Sequence, residues 1–408
     1  MKPSTIDVDS TRAGVTPALW LSLFVCMGVG PMFLYTLTAV SPLLIADLDL
    51  SAAQYGSIST VTFGAAAVSA VLLGGPSNRF RARTVMIAVS IGSMTGLAVM
   101  AVADSFTAVL VAGVLSGVAQ ALSNPATNRL VAGMPVRVRG ALVGWKQSGV
   151  QAAQLVSGLA APLVAAAAGW RWTAAIGLTV GVVGVVAAIA THPATGAGHA
   201  STTATTASTG SMTVGALTAY TFCIGFGLQA TNAHLPLFAH VRLGLDLHTA
   251  GLIAGVVGLI GLLSRIWWGR RTGDGSRHAS TLVALALMAA VGVTVVLTSA
   301  AVGSWLVWIG AAVFGAAALA SNSVTMVALI SSVPTASLGS ATALLATGMY
   351  LGFGSGPLVF GLVLDLGAGF GTAWLIPIAA FAAAALIGVA STASRRPTNP
   401  ERQTHAHP

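Results

Sequence analysis

Residues 26–30 read "CMGVG" and residues 223–227 read "CIGFG", the same Cys-x-Gly-x-Gly set 197 positions apart. The tripeptide "LDL" at 48–50 returns at 245–247 with the same offset. At an offset of 198, "GVAQALSNPAT" (117–127) faces "GAAALASNSVT" (315–325), which pairs Gly117, Ala119, Ser123, Asn124 and Thr127 with Gly315, Ala317, Ser321, Asn322 and Thr325. Recurrence at one fixed period marks a duplicated unit.

Composition says what kind of unit was copied. Charged residues make up 7% of the 408, and the mean hydropathy is +0.88. A soluble domain carries about 25% charged residues. Apolar runs long enough to cross a hydrocarbon core of about 30 Å recur along the whole chain. They predict twelve spans, at about 16–42, 52–75, 84–103, 106–133, 140–168, 171–192, 212–239, 247–268, 280–299, 303–332, 339–364 and 370–391. Backbone amides in lipid must be satisfied within the segment, and the runs exceed strand length, so an all-α integral membrane fold is expected.

Lys and Arg set the orientation. With a cytoplasmic N-terminus, Lys2, Arg12, Arg79, Arg81, Arg83, Arg137, Arg139, Arg270, Arg271, Arg277, Arg395, Arg396 and Arg402 fall on the cytoplasmic side, against Arg171 and Arg242 opposite. The positive-inside bias therefore puts both termini in the cytoplasm, and the net charge of +9 reports topology rather than nucleic-acid binding. Residues 193–211, "PATGAGHASTTATTASTGS", contain no Lys, Arg, Asp or Glu and read as a flexible linker. Residues 1–192 and 212–408 are then two pseudo-symmetric six-helix bundles. An even number of spans in each returns the chain to the same side, which makes them parallel repeats. The paired glycines read as close-packing surfaces, and Cys26 and Cys223 as small buried hydrophobes rather than disulfide or metal ligands.

Twelve spans in two parallel halves, with a basic loop after the second span, resemble the major facilitator superfamily of secondary transporters. The most specific element is "GGPSNRFRAR" (74–83), similar to that family's Gly-x-Leu-Ala-Asp-Arg-x-Gly-Arg-Arg loop. Gly74, Arg79 and Arg83 match, while Asn78 replaces the acidic residue and Arg81 the second glycine. The resemblance implies that Gly74, Asn78, Arg79 and Arg83 form a cytoplasmic gate loop. The second-half counterpart "GRRTGDGSRH" (269–278) matches weakly, and the family's span-4 arginine is absent near Ala112 and Gly113.

Polar residues within spans are costly in lipid and usually face a cavity or the bundle interior. Span 4 carries Ser116, Gln120, Asn124 and Asn128 at a spacing of four, a stripe on one helix face, and span 10 has Ser321, Asn322 and Thr325. Span 5 offers Gln147, Gln151 and Gln154; span 7 offers Gln229, Asn232 and His234. Such stripes serve either as interhelical glue or as the wall of a solvated path. Lys146 in span 5 and Arg265 in span 8 are cations without an intramembrane carboxylate, whereas every acid occupies a tail, loop or span end. Both either face the interior or snorkel to the cytoplasmic interface, as Arg129 is expected to do.

The expected function is secondary transport of a small solute, with an organic or inorganic anion favoured by the unpaired cations. Export of hydrophobic or neutral compounds is the alternative. The candidate substrate contacts are Lys146, Arg265, Gln120, Asn124, Gln151, Gln229, Asn232 and Asn322. His234, near the outer end of span 7, is the candidate proton carrier. No convergent catalytic cluster, metal-ligand set or phosphate-binding loop is apparent, so no enzyme and no cofactor is expected. The remaining expectations are a bacterial cytoplasmic membrane address, a monomer, the lipid bilayer as surroundings, a coupling ion as a further partner, and no nucleic acid.

Overall fold

The computed structural model of the chain describes residues 16–191, 212–271, 278–333 and 338–393. The expected linker, 193–211, lies outside them, as do Lys2, Arg12, Arg277, Arg395, Arg396 and Arg402. Among the described residues there are fifteen α-helices, two 3-10 turns and no strand.

The first half comprises α1 (Pro17–Val29), α2 (Met32–Ala39), α3 (Ser41–Asp47), α4 (Ala52–Gly74), α5 (Ala82–Ala101), α6 (Phe106–Ala121), α7 (Ser123–Ala132), α8 (Val136–Ala168) and α9 (Ala174–Ala190). The second comprises α10 (Val214–Val241), α11 (Leu247–Arg271), α12 (His278–Val302), α13 (Leu306–Ser332), α14 (Leu338–Asp365) and α15 (Gly369–Ala393). Eleven spans are long and apolar enough to cross a membrane, and the α1–α2 pair, bent by 56°, makes a twelfth when taken as one. Prolines account for both breaks within spans. Pro31 separates α1 from α2, and Pro125 in the first turn of α7 cannot donate back to Ala121, so the ladder of span 4 stops at Leu122.

The spans alternate in direction. The starts of α1 and α10 and the ends of α9 and α15 therefore share one end of the bundle, called here the linker end. The other is the far end, where α3 and the loop after α14 lie.

The paired glycines do the same work in both halves. A Cβ at Gly28 would stand 2.7 Å from Gly149 O of α8, and one at Gly225 would stand 2.9 Å from Met349 O of α14. Span 1 thus packs on span 5 as span 7 packs on span 11, at approaches no real Cβ permits. The second glycines diverge: Gly30 abuts Gln120 of α6, whereas Gly227 abuts the Phe381 ring of α15.

Contacts between the halves run from mid-depth to the far end. Gly56 of α4 lies against Pro357 O of α14, and Gly158 of α8 against Gly255 of α11, both with no room for a side chain. Hydrogen bonds join Ala52 N and Ala53 N to Asp365 (both 2.9 Å), Tyr55 Oη to Ala233 O (2.8 Å), Thr60 Oγ1 to Gly354 O (2.6 Å) and Gln154 Nε2 to Asn232 Oδ1 (3.3 Å). Toward the linker end, Val68, Val71, Leu72 and Leu73 of α4 are exposed around most of the helix. The far end is closed.

Candidate substrate site

Lys146 lies ten residues into α8, about 15 Å along its axis, and is 1% exposed. It does not snorkel. Its Nζ donates to Asn124 Oδ1 (3.1 Å), Thr127 Oγ1 (3.0 Å) and Asn128 Oδ1 (2.6 Å), which uses all three ammonium protons. The three acceptors stand at i, i+3 and i+4 on α7, hence on one face. The Thr127 hydroxyl sends its own proton to Ser123 O (2.7 Å), which leaves its lone pairs for the ammonium. Asn124 also receives Gln147 Nε2 at 3.4 Å, and the Cys26 thiol of α1 lies within electrostatic reach of the cation. Every partner is neutral, so the charge is solvated but not cancelled. Thr127 was not among the candidates; its place in the Ser-Asn-x-x-Thr repeat was the available signal.

Arg265 of α11 is half-buried, and its Nε donates to Leu319 O of α13 at 3.1 Å. Its two terminal nitrogens make no hydrogen bond among the described residues. The phenol of Tyr35, on α2 of the other half, lies within its electrostatic reach. Among the described residues the one ion pair is Arg171–Asp47 at the far end, so neither Lys146 nor Arg265 meets a carboxylate. Tyr35 was missed because an aromatic residue in an apolar span carries no polar periodicity.

Gln154 reaches from α8 across the interface to Asn232, and Gln151 lies one turn earlier on α8 with its carbonyl against Gly258 of α11. Gln151 is 0% exposed and both its amide atoms lack a partner, as do Gln154 Oε1 and Asn232 Nδ2. Gly258, whose Cβ would stand 3.0 Å from Gln151 O, is seven residues before Arg265 on the same face of α11. Gln151 therefore meets α11 about 10 Å along its axis from the Arg265 backbone, toward the far end. Gln120 is half-buried where Gly30 lets α1 approach. Among the described residues, Gln229, buried on α10, and Asn322, half-buried on α13, share no hydrogen bond with this set. In span 10, Ser321 and Thr325 donate to carbonyls of their own helix, Ala317 O (3.1 Å) and Ser321 O (2.7 Å).

His234 is not at an interface with water. It is 0% exposed, stacked on Phe360 (centroids 4.2 Å apart) and edge-on to Tyr55 (5.5 Å). Its Nδ1 lies 3.2 Å from Ala230 O, and since a carbonyl only accepts, Nδ1 carries the hydrogen; Nε2 has no partner. The ring sits in the far-end closure.

The gate-loop residues stand apart at the linker end. Gly74 closes α4, Pro76–Arg79 form a 3-10 turn that exposes Asn78 and Arg79, and Arg83 is half-buried at the start of α5. Arg129, expected to snorkel, instead pins this loop: its Nη1 donates to Ser77 O and Phe80 O, each at 3.1 Å.

The family model of the Major Facilitator Superfamily matches residues 23–357. The chain belongs to that superfamily. Solved structures agree on the fold of this superfamily member. A point mutant of the nucleoside transporter NupG is 15% identical with a TM-score of 0.72, over 92% of this chain and 98% of that one. A bacterial homolog of the human lysosomal transporter Spinster, in an inward-facing and unoccupied conformation, is 15% identical with a TM-score of 0.68, over 93% and 96%. Its inward-facing, occupied form gives 17% and 0.65 over the same shares. A comparison with curated proteins found no match. The superfamily member is thus a multi-pass secondary transporter of a small molecule.

Proposed function

We propose that this transporter carries a small organic anion by alternating access, with the anionic group received by Arg265 and Tyr35 between the halves. The observation that carries the reading is the state of the Arg265 guanidinium: half-buried, spending one nitrogen on a backbone carbonyl, and facing no carboxylate. A cation at membrane depth costs about 2.5–3.5 kcal/mol on insertion scales, and an anionic guest offsets that cost. Lys146, tied to Asn124, Thr127 and Asn128, adds a fixed positive field without touching the solute. Gln120, Gln151, Asn232, Gln229 and Asn322 supply neutral hydrogen-bonding groups along the route. With the arginine-rich loops in the cytoplasm, the far end is the outer face and the state described is inward-facing; both termini are then cytoplasmic, the halves divide at 193–211, and the address is a bacterial cytoplasmic membrane. His234 is the group proposed to take up a coupling proton when the far end opens, and the chain acts as a monomer.

A second reading, export of hydrophobic or neutral compounds, draws on aromatic residues at mid-depth. Phe63 stacks on Tyr350 (6.0 Å) and packs against Phe353 (4.9 Å) across the halves. Ligand-dependent thermal stabilisation over paired carboxylates and their neutral amides separates the two, because binding to the folded state raises the melting point. Stabilisation by carboxylates that disappears in Arg265→Gln is expected. Equal stabilisation by the amides, retained in Arg265→Gln, supports the second reading and overturns the first.

A further inference from the structure

The start of α4 leaves four backbone donors without helical partners, as every helix start does. Its own capping box supplies two of the acceptors. Gln54 N donates to Ser51 Oγ (3.2 Å), and Ser51 N donates to Gln54 Oε1 (2.8 Å). The other two donors, Ala52 N and Ala53 N, go to Oδ1 and Oδ2 of Asp365, the last residue of α14 in the opposite half. A carboxylate 313 and 312 positions away therefore completes the helix start, with both oxygens at 2.9 Å and the positive end of the α4 dipole facing it. Gly361, one turn earlier on α14, lies so close to Ala52 O that any side chain would hold the two helices apart and withdraw the carboxylate. Charge-assisted bonds of this kind are roughly twice as strong as neutral ones. Breaking them is unavoidable if the far end is to open, since Asp365 and Ala52 belong to different halves.

Among the described residues, the loop after α4 at the linker end lacks the matching device. Where the family pattern has an acid, this chain has Asn78, exposed on the 3-10 turn after α4. The first half therefore offers no carboxylate at that position to hold the linker end shut.

We propose that Asp365 is a latch between the halves, and that the acid at 365 without an acid at 78 biases the resting transporter toward the state closed at the far end. The inference does not depend on what is carried. It also assigns a direction: loading from the linker side is the default, and a solute arriving at the far side must wait for the latch to release.

The test is a distance measurement on the full-length protein in nanodiscs. Spin labels are placed through Asp104→Cys in the exposed loop after α5 and Ser304→Cys in the exposed loop after α12, with Cys26 and Cys223 replaced by serine. Electron–electron double resonance should give one short-distance population. Asp365→Asn should raise the ratio of long-distance to short-distance molecules about tenfold. Ala52→Pro removes one of the donors without changing any charge, at a first-turn position where proline suits a helix, and should shift the ratio the same way. Asn78→Asp should move it in the same direction by holding the linker end. Unchanged distributions in both Asp365→Asn and Ala52→Pro would overturn the latch, and an unchanged distribution in Asn78→Asp would overturn the asymmetry. Because Ala52→Pro keeps the carboxylate, the latch stays testable even if Asp365→Asn fails to fold.

Discussion

The ammonium of Lys146 is the residue on which sequence and structure diverge most usefully. Its charge and lack of a carboxylate partner were legible, but its three neutral acceptors were not, because they depend on the break at Leu122 that turns one face of α7 toward α8. This arrangement predicts an asymmetry. Thr127→Val keeps the shape but leaves a buried ammonium one acceptor short, at a cost of about 1–3 kcal/mol. Lys146→Met removes the charge together with its desolvation cost and should change stability by less than about 1 kcal/mol. Thermal unfolding in detergent gives the order, and a larger loss for Lys146→Met than for Thr127→Val contradicts it. Arg265 is the complementary case. Its position in span 8 was read correctly, yet the Tyr35 phenol across the interface comes from tertiary packing that no local pattern encodes.

At the scale of elements, hydropathy and small residues fixed nearly all the helices, since a span must be apolar and about 20 residues long whatever its neighbours do. The break at Pro31 was lost because both parts of that span are apolar, and the one at Leu122 because Phe106–Ala132 as a whole is apolar enough to read as a single span, although α7 itself is polar. Close approaches were legible as glycines but their partners were not: Gly30 and Gly227 occupy equivalent positions yet meet different helices. The α8–α11 seam supplies a prediction. A Cβ at Gly158 would overlap the Gly255 backbone, so Gly158→Val should force the halves apart and abolish the far-closed state in the spin-label measurement, whereas Gly140→Ala, at a site with no neighbour within 4 Å, should leave it unchanged. A second concerns the far-end tie within the first half. Asp47 accepts from Trp170 Nε1 (3.0 Å) and pairs with Arg171 (2.9 Å), and the Trp170 hydrogen bond, followed by that from Arg171, holds its carboxyl below the usual carboxylate range. A lowered carboxylate contributes stability above its ordinary titration range and loses it as pH falls through the folded value. Asp47→Asn should therefore lower stability at neutral pH by at most about 1 kcal/mol, the pair being 34% and 44% exposed, and the difference from wild type should shrink as pH falls below the ordinary carboxylate range. A difference that grows on acidification contradicts this.

For the whole molecule, duplication explains how a site arises where the copies meet. Equivalent helices of the two halves cross over, α4 against α14 and α8 against α11, and the residues left between them are those that need not be identical. Arg265 has no basic counterpart in the first half's second span, where α4 is free of charge. Asp365 closes one end and Asn78 leaves the other unlatched. The repeat period revealed the architecture; the departures from symmetry locate the function. The most direct measurement is uptake into proteoliposomes of an organic carboxylate that stabilises the protein, beside its primary amide of the same shape. The account predicts saturable uptake of the carboxylate, none of the amide, and loss of at least about tenfold in carboxylate uptake in Arg265→Gln. Transport of both at similar rates, unaffected by Arg265→Gln, would contradict it.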